Sequence, residues 1–419
     1  MIDSPREACG VFGLYTSADD VARTIFFGLH ALQHRGQESA GIATMENGDI
    51  HLQTGMGLVS QSFMESDLRR LPGTMGIGHT RYSTTGSAES RNAQPFVATG
   101  PNGKIALGHN GNVINAAAIR KQLATEWKTD FVSSSDSEVM AHFLANAPGE
   151  TWEDRCFSCM RELQGAFSTT ILTPDSVIGM RDPLGVRPMC LGKLNDGWCI
   201  ASESCALDHL GAQFVRELDP GEVVTLDKNG PRFSKWSGAT GRKAMCVFEL
   251  IYFARLDSLF DNKMVYSTRL DLGAKLAMEQ PVDADLVIGV PDSATAAAVG
   301  YSRQSGIPFS EGLVENRFVG RTFISPDQRL RDLGVRLKFN PLSEVIKDKR
   351  LVVVDDSIVR GTTTPHVVNI LRKAGAKEVH FRVCAPPIMW PCHFGIDMAT
   401  RKELIAANKS VEEIRQFIN

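Results

Sequence analysis

The chain has 419 residues, with 45 basic and 48 acidic side chains for a formal charge of −3, and 43% of it is hydrophobic. At roughly 100–200 residues per domain, this length predicts two or three domains, each with room for its own core. No basic surplus exists to drive nucleic-acid binding, no apolar run reaches the length of a membrane span, and residues 1–8 carry charges and a proline without an apolar core, so they are not a secretory signal.

From Cys9 onward short strand-like and helical runs alternate. Cys9-Gly-Val-Phe-Gly-Leu-Tyr reads as a buried strand. Residues 20–34 carry Val21, Ile25, Leu29 and Leu32 at helical spacing, and Gly36 supplies a stop. Residues 39–45 and 104–108 read as strands, and 115–127 and 137–147 as helices, the second preceded by the N-cap candidates Ser133 to Asp136. Residues 166–172 and 176–180, split by Thr-Pro-Asp, read as a hairpin. Many short strands with a few helices predict an α+β sandwich. Residues 228–243 are rich in Gly, Ser, Lys and Arg without periodicity, and this divides the chain into 9–240 and 241–419. Beyond it the rhythm is helix 269–279, strand 285–290, helix 294–305, strand 350–354, helix 363–374 and strand 378–384. Continuous Val/Ile/Leu strands alternating with helices predict an α/β domain with a parallel sheet covered on both faces.

Nine cysteines occur, at Cys9, Cys156, Cys159, Cys190, Cys199, Cys205, Cys246, Cys384 and Cys392. An odd number in a long chain without an export signal argues against a disulfide framework and for a reducing, cytoplasmic setting. Most of these thiols are expected to be small buried apolar groups.

The sharpest motif is Leu351-Val-Val-Val-Asp-Asp-Ser-Ile-Val-Arg-Gly-Thr-Thr-Thr364. A buried strand ends in two carboxylates, and a loop with Ser357, Arg360, Gly361, Thr362 and Thr363 opens into a helix. Ligands of parallel sheets bind at the C-terminal strand ends, and main-chain N–H groups at a helix start suit a phosphate. Asp355 and Asp356 cannot sit on a phosphate, so they face ribose hydroxyls or Mg²⁺. The segment resembles the signature of the type I phosphoribosyltransferases, which bind phosphoribosyl pyrophosphate (PRPP). Two further pieces fit that family. Gly289-Val-Pro-Asp-Ser-Ala294 resembles its pyrophosphate loop, with Ser293 as a further Mg²⁺ ligand. Asn316-Arg-Phe-Val-Gly-Arg-Thr-Phe-Ile324 places Arg317 and Arg321 in a loop able to fold over pyrophosphate and exclude water.

In the first half, Cys9 becomes an N-terminal residue if residues 1–8 are removed. Its α-amine, with an ordinary pKa near 8, would then serve as the base that activates the thiol. His34-Arg-Gly-Gln-Glu-Ser39, Gly78-His-Thr-Arg-Tyr-Ser83 and His109-Asn-Gly-Asn112 each follow an apolar run, and Ser134-Ser-Asp-Ser-Glu138 opens a helix. The Asn110 amide and the Gly111 N–H suit an oxyanion hole. Arg81 suits a carboxylate and Asp136 an ammonium, and the free amino acid with an amide as well is glutamine. These segments resemble the N-terminal-nucleophile glutaminases. With the PRPP segment, the chain is similar from Cys9 to about Asn419 to the glutamine PRPP amidotransferase family, in its propeptide-bearing iron–sulfur branch.

The resemblance implies an N-terminal-nucleophile glutaminase sandwich followed by a type I phosphoribosyltransferase domain. It implies Cys9 as nucleophile after loss of propeptide 1–8, with Asn110 and Gly111 as oxyanion hole. Arg81 and Asp136 become the glutamine clamps, Arg35 and Gly36 line the same pocket, and Ser293, Asp355 and Asp356 hold Mg²⁺ and PRPP. Ammonia released from glutamine passes internally to PRPP and displaces pyrophosphate to give phosphoribosylamine. Inhibition by purine nucleotides and a homo-oligomer, dimer or tetramer, are implied too. Two departures stand out. Glu315 occupies a position where the family carries lysine, and a [4Fe–4S] cluster needs four cysteines. Only Cys246 and Cys392 match; the other pair belongs to a C-x-x-C element near the family's C-terminus, and this chain ends at Asn419 before it. Cys156-x-x-Cys159 reads as one face of a helix instead. A PRPP- or nucleotide-sensing regulator is disfavoured by the intact glutaminase residues, and an amino-sugar or asparagine amidotransferase by the PRPP segment.

Overall fold

The computed structural model describes residues 9–18, 20–82, 89–195, 197–316, 338–396, 398 and 400–419. Among the described residues, thirteen strands build the first half: β1 (Gly10–Tyr15), β2 (Ser39–Glu46), β3 (Asp49–Met56), β4 (Met75–Arg81), β5 (Phe96–Gly100), β6 (Gly103–Val113), β7 (Gly165–Leu172), β8 (Val177–Arg181), β9 (Cys190–Leu194), β10 (Gly197–Ala201), β11 (Gln213–Glu217), β12 (Glu222–Asp227) and β13 (Gly230–Lys235). They form a seven-stranded sheet, β11-β9-β10-β1-β4-β2-β3, and a six-stranded sheet, β13-β12-β8-β7-β6-β5. Their facing sides bury Val11, Ala43, Ile77, Ala106, Val177, Ile200 and Val224 in one core. Helix Val21–Ala31 covers the outer face of the first sheet with Val21, Ile25 and Leu29. Helices Asp136–Asn146 and Trp152–Glu162 cover the outer face of the second. The expected α+β sandwich is therefore a four-layer one. Cys156 and Cys159 lie buried on the inward face of helix Trp152–Glu162.

The hairpin β14 (Leu259–Phe260) and β15 (Lys263–Met264) lies early in the second half. There a parallel sheet runs β16 (Leu286–Gly289), β19 (Arg350–Asp355), β20 (Glu378–Val383), with β17 (Leu313–Glu315) and β18 (Phe339–Pro341) as a separate antiparallel pair. The apolar run of β19 alternates between two cores. Leu351 and Val353 join Ile288 under helix Thr363–Lys373, and Val352 and Val354 join Val287 under helices Val265–Glu279 and Thr295–Ser305. Cover on both faces is what the continuous apolar run required.

Two expectations shift. The strand read over 104–108 runs on to Val113, because β7 pairs with it all the way from Ala106 to Val113. The stretch read as a boundary over 228–243 holds β13 in its first part, since Lys228–Asn229 closes a tight hairpin and β13 pairs with β12 along its whole length.

Candidate functional site

Strand pairing sets the first site. Gly10 pairs with Thr80 and Ser39 with Arg81, so Cys9, Arg81 and Glu38 meet at one end of the seven-stranded sheet. The Cys9 thiol is buried and lies 3.5 Å from both the carbonyl oxygen and the amide nitrogen of Tyr82. Burial pushes its pKa up, while the Tyr82 contact, Arg81 and Arg187 pull it back in part. The facing sheet supplies β6, which carries Asn110 and Gly111. Asn110 is buried, and neither its Nδ2 nor its Oδ1 has a hydrogen-bond partner among the described residues. An unsatisfied buried amide costs stability, and it suits a donor kept for an incoming oxyanion. Gly111 has φ +147°, and a Cβ there would lie 1.9 Å from the Ala166 carbonyl oxygen, so only glycine fits. Asp136, in the first turn of its helix, accepts from the Val113 amide at 2.8 Å, which ties it to the end of β6.

The arginines are engaged. Arg81 bonds Glu38 through Nη1. Arg35 points inward rather than into an open pocket: its Nε donates to the Cys9 carbonyl at 3.0 Å, and its Nη groups reach Glu203 and both oxygens of Glu249. Gly36 lies so close to the Thr80–Arg81 main chain that a Cβ would come within 2.6 Å of it.

The second site is a cleft of about 580 Å³ at the C-terminal ends of β16 and β19. Ser293, Asp355, Asp356, Ser357 and Thr363 line it, and His34 of the first half closes one side. Asp356 accepts from the hydroxyls of Ser293 and Ser357. Burial pushes its carboxyl up, against the pull of those hydroxyls and of Arg269. Glu315 also lines the cleft, and Lys338 Nζ sits 3.4 Å from its carboxylate. Gly361 has φ +74°, and a Cβ would meet Ile405 Cδ1 at 2.4 Å. The loop is thereby seated on the C-terminal helices. Arg360 donates to Glu403 from Nε at 2.9 Å and from Nη2 at 2.6 Å. Thr362 opens helix Thr363–Lys373 as its N-cap. Arg317 and Arg321 fall outside the described residues, as do residues 1–8.

Three buried residues that sequence reasoning passed over join the halves. Glu203 accepts from His34 at 2.8 Å, from Arg35, and from the Ser258 hydroxyl at 2.6 Å. Burial opposes its ionisation, yet His34 and Arg35 hold it far below the usual carboxylate range. Arg187 donates to Glu249 at 3.0 Å and to the Phe394 carbonyl at 3.0 Å. Glu249 is a lone acid inside Val-Phe-Glu-Leu-Ile, and such an isolated charge in an apolar run is the available signal. His34, Glu203 and Cys205 place three ligand atoms within 4.8 Å of one another, but the bonds to Glu203 already occupy it.

Cys246 and Cys392 do come together, in a small core with Phe248 and Ile396. No third cysteine joins them among the described residues. Two thiols do not make a four-thiolate site, so the cluster expectation is not met by these residues.

A buried cysteine at the end of one sheet of a two-sheet sandwich, joined to a cleft at the C-terminal edge of a parallel sheet, matches the glutamine amidotransferases that carry a second, transfer site. Residues 79–209 match the glutamine amidotransferase domain family. The chain is 49% identical to the amidophosphoribosyltransferase of Synechocystis over 99% of its own length and 85% of that protein's. It is 48% identical to that of Archaeoglobus fulgidus over 97% and 89%. The solved B. subtilis glutamine PRPP amidotransferase, complexed with ADP and GMP, superposes with a TM-score of 0.91 at 43% identity, covering 98% of this chain and 89% of that one. A structure described as the allosteric regulatory enzyme of purine biosynthesis does so with a TM-score of 0.91 at 44% identity, over 98% and 88%. The chain belongs to the amidophosphoribosyltransferase family.

Proposed function

We propose that this chain carries out the first step of purine synthesis with the following division of labour. Cys9 attacks the glutamine side-chain amide, the C–N bond breaks, and ammonia leaves. Water then hydrolyses the thioester to glutamate. A buried thiol with a raised pKa needs a base beside it, and the α-amine freed by loss of residues 1–8 supplies one. Asn110 Nδ2 and the Gly111 N–H receive the oxyanion. Arg81 exchanges Glu38 for the substrate carboxylate, and Asp136 takes the ammonium. Arg35 holds the Cys9 carbonyl, and Gly36 lets its turn approach the strand.

Ammonia then attacks the ribose carbon of PRPP that bears pyrophosphate, and the C–O bond to pyrophosphate breaks. Ser357, Gly361, Thr362 and Thr363 cradle the 5′-phosphate, with Arg360 beside them, and Arg317 and Arg321 cover the pyrophosphate. Ser293, Asp355 and Asp356 offer only oxygen donors, which fits Mg²⁺, whose charge would offset that of the departing pyrophosphate. The observation that carries the two-site reading is the cleft wall itself: His34, next to the residue that grips Cys9, lines the cavity that holds Asp355 and Asp356. Water is kept from ammonia by such contiguity, and ammonium is no nucleophile. Purine nucleotides are the expected inhibitors, a homo-oligomer the expected assembly and the cytoplasm the expected setting; no described helix is long and apolar enough to cross a membrane.

The test compares wild type with Cys9→Ala, measuring glutamate and pyrophosphate from PRPP with glutamine or with ammonia. The variant should lose glutamine-dependent turnover and keep ammonia-dependent turnover. Glutamine-dependent product from Cys9→Ala would reject the nucleophile, and pyrophosphate from neither nitrogen source would reject the transferase site.

A further inference from the structure

An N-terminal nucleophile has a mechanical problem. Once residues 1–8 are gone, no preceding peptide fixes Cys9, and the directions of its amine and thiol depend on what holds its carbonyl. Here the holder is Arg35 Nε, at 3.0 Å. Arg35 is itself buried, and its ends bond to Glu203 and, at 2.9 and 3.0 Å, to both oxygens of Glu249. Arg187 grips the same Glu249 from the other side at 3.0 Å. Two arginines and two glutamates thus balance their charges out of water, which is the condition for a buried ionic cluster to persist.

Glu249 does not come from the sandwich. It opens the turn Glu249–Phe253, a π-helical turn after the boundary, and such widened turns occur often at functional sites. A third buried arginine, Arg269, holds that turn from the far side. Its Nε donates to the Leu250 carbonyl at 2.8 Å, its Nη2 to the Ala254 carbonyl at 2.9 Å, and its Nη1 to the Ser293 carbonyl at 3.3 Å. The Ser293 hydroxyl in turn donates to Asp356. One turn is therefore clamped between an arginine that bonds the Cys9 carbonyl and an arginine that bonds the main chain of Ser293, whose hydroxyl bonds Asp356.

We infer that Glu249 is a positioning residue for the glutaminase reaction: acting through Arg35, it sets the Cys9 main chain, and so the aim of the thiol, from the second domain. The inference deepens the assignment of Cys9 and rests on it. Glu249→Gln leaves Arg35 bound to Glu203 and the Cys9 carbonyl, with one neutral acceptor and one opposing NH2 group where two carboxylate oxygens held its other fork. The nucleophile loosens while glutamine's own clamps, Arg81 and Asp136, stay in place.

The experiment uses the processed full-length protein carrying Glu249→Gln. Its glutamine-dependent kcat should fall about 100-fold, the cost of a misplaced reacting group, with KM for glutamine little changed, as for an interaction made only in the transition state. Alkylation of Cys9 by a diazoketone analogue of glutamine should slow in proportion, and ammonia-dependent pyrophosphate release should stay at the wild-type rate. Glu249→Asp, which keeps the charge, should recover part of the loss. A parallel fall in the ammonia-dependent rate, or an unchanged glutamine-dependent kcat, would overturn the inference. If Glu249→Gln does not fold, Arg35→Lys, which keeps a cation for Glu203 and Glu249 but loses the Nε contact to Cys9, is read by the same rates and the same criteria. Glutamine turnover by Cys9→Ala would instead indict the nucleophile assignment, so the two failures are distinguishable.

Discussion

The glutaminase site lies between two sheets whose strand ends deliver its side chains, whereas the PRPP cleft is lined largely by loops that leave strand ends. Cys9, Arg81 and Glu38 are neighbours through strand register, and Asn110 comes from the longest strand of the facing sheet. In the cleft, Ser293 follows β16, Ser357 follows β19, and the Arg360–Gly361 turn is propped by Glu403 and Ile405 from the C-terminal segment. The first arrangement is stiff because Arg81 and Asn110 sit inside strand ladders and Cys9 and Glu38 directly precede strands of the same sheet. The second depends on props far away in sequence, which suits a site that must admit and release a large polyanion.

The contrast breaks most sharply at Asn110. Its amide has no hydrogen-bond partner among the described residues, so truncation should leave few native bonds to lose and remove a transition-state donor. Asn110→Ala is expected to cost about 10²–10³-fold in glutamine-dependent kcat, with ammonia-dependent pyrophosphate release retained. A variant that keeps its glutamine-dependent rate would show that the stiff site has its oxyanion donors elsewhere.

The two sites also differed in how far they could be read from sequence. Cys9, Asn110, Asp136 and the Asp355–Asp356 pair stood out as candidates because each borders a regular element: Cys9 precedes β1, Asn110 follows the apolar part of β6, Asp136 opens its helix and the two acids end β19. The partners of the arginines did not. Arg81 reads as a grip on glutamine and Arg35 as a lining residue of the same pocket; in the structure Arg35 bonds the Cys9 carbonyl, Glu203 and Glu249, and Arg81 bonds Glu38. Arg35 and Glu249 lie 214 positions apart. Nothing local encodes such a pair, since a guanidinium is satisfied by whichever carboxylate the tertiary fold brings to it. The strand in the stretch read as a boundary was missed for a local reason: polar residues after β12 read as linker, although Lys228–Asn229 is a hairpin turn and Gly230 already starts β13.

The propped cleft is tested by Glu403. Its carboxylate takes two bonds from Arg360, beside Gly361 in the phosphate-binding turn, and both side chains are largely buried. Glu403→Gln weakens a charge-assisted bond worth about 1 kcal/mol in such a setting, so KM for PRPP should rise about fivefold. The glutamine analogue should still alkylate Cys9 at the wild-type rate without PRPP. Equal effects on both measurements would mean that the C-terminal segment supports the whole chain rather than this turn.

The stiffness of the first site carries a pH dependence of its own. His79 on β4 is buried between the sheets, with Nε2 3.0 Å from the carbonyl oxygen of His109, the residue before Asn110. Its Nδ1 has no partner among the described residues. Burial pushes the His79 pKa down to about 3, with the carbonyl bond opposing and the charges of Arg81 and His109 adding to the fall. The folded protein therefore keeps the ring neutral, while the unfolded chain takes up a proton near its ordinary value of 6.5. Between those two values the unfolded state binds the extra proton, so stability rises with pH and is lost as pH falls, by up to about 1.4 kcal/mol per pH unit from this ring. His79→Gln keeps an N–H for the His109 carbonyl and cannot titrate. Denaturant midpoints measured at pH 5 and pH 6.5 should then lie closer together in the variant than in wild type. Identical spacing in the two proteins would mean that His79 is reached by water, and that the wall between the sheets beside Asn110 is less closed than the strand packing makes it.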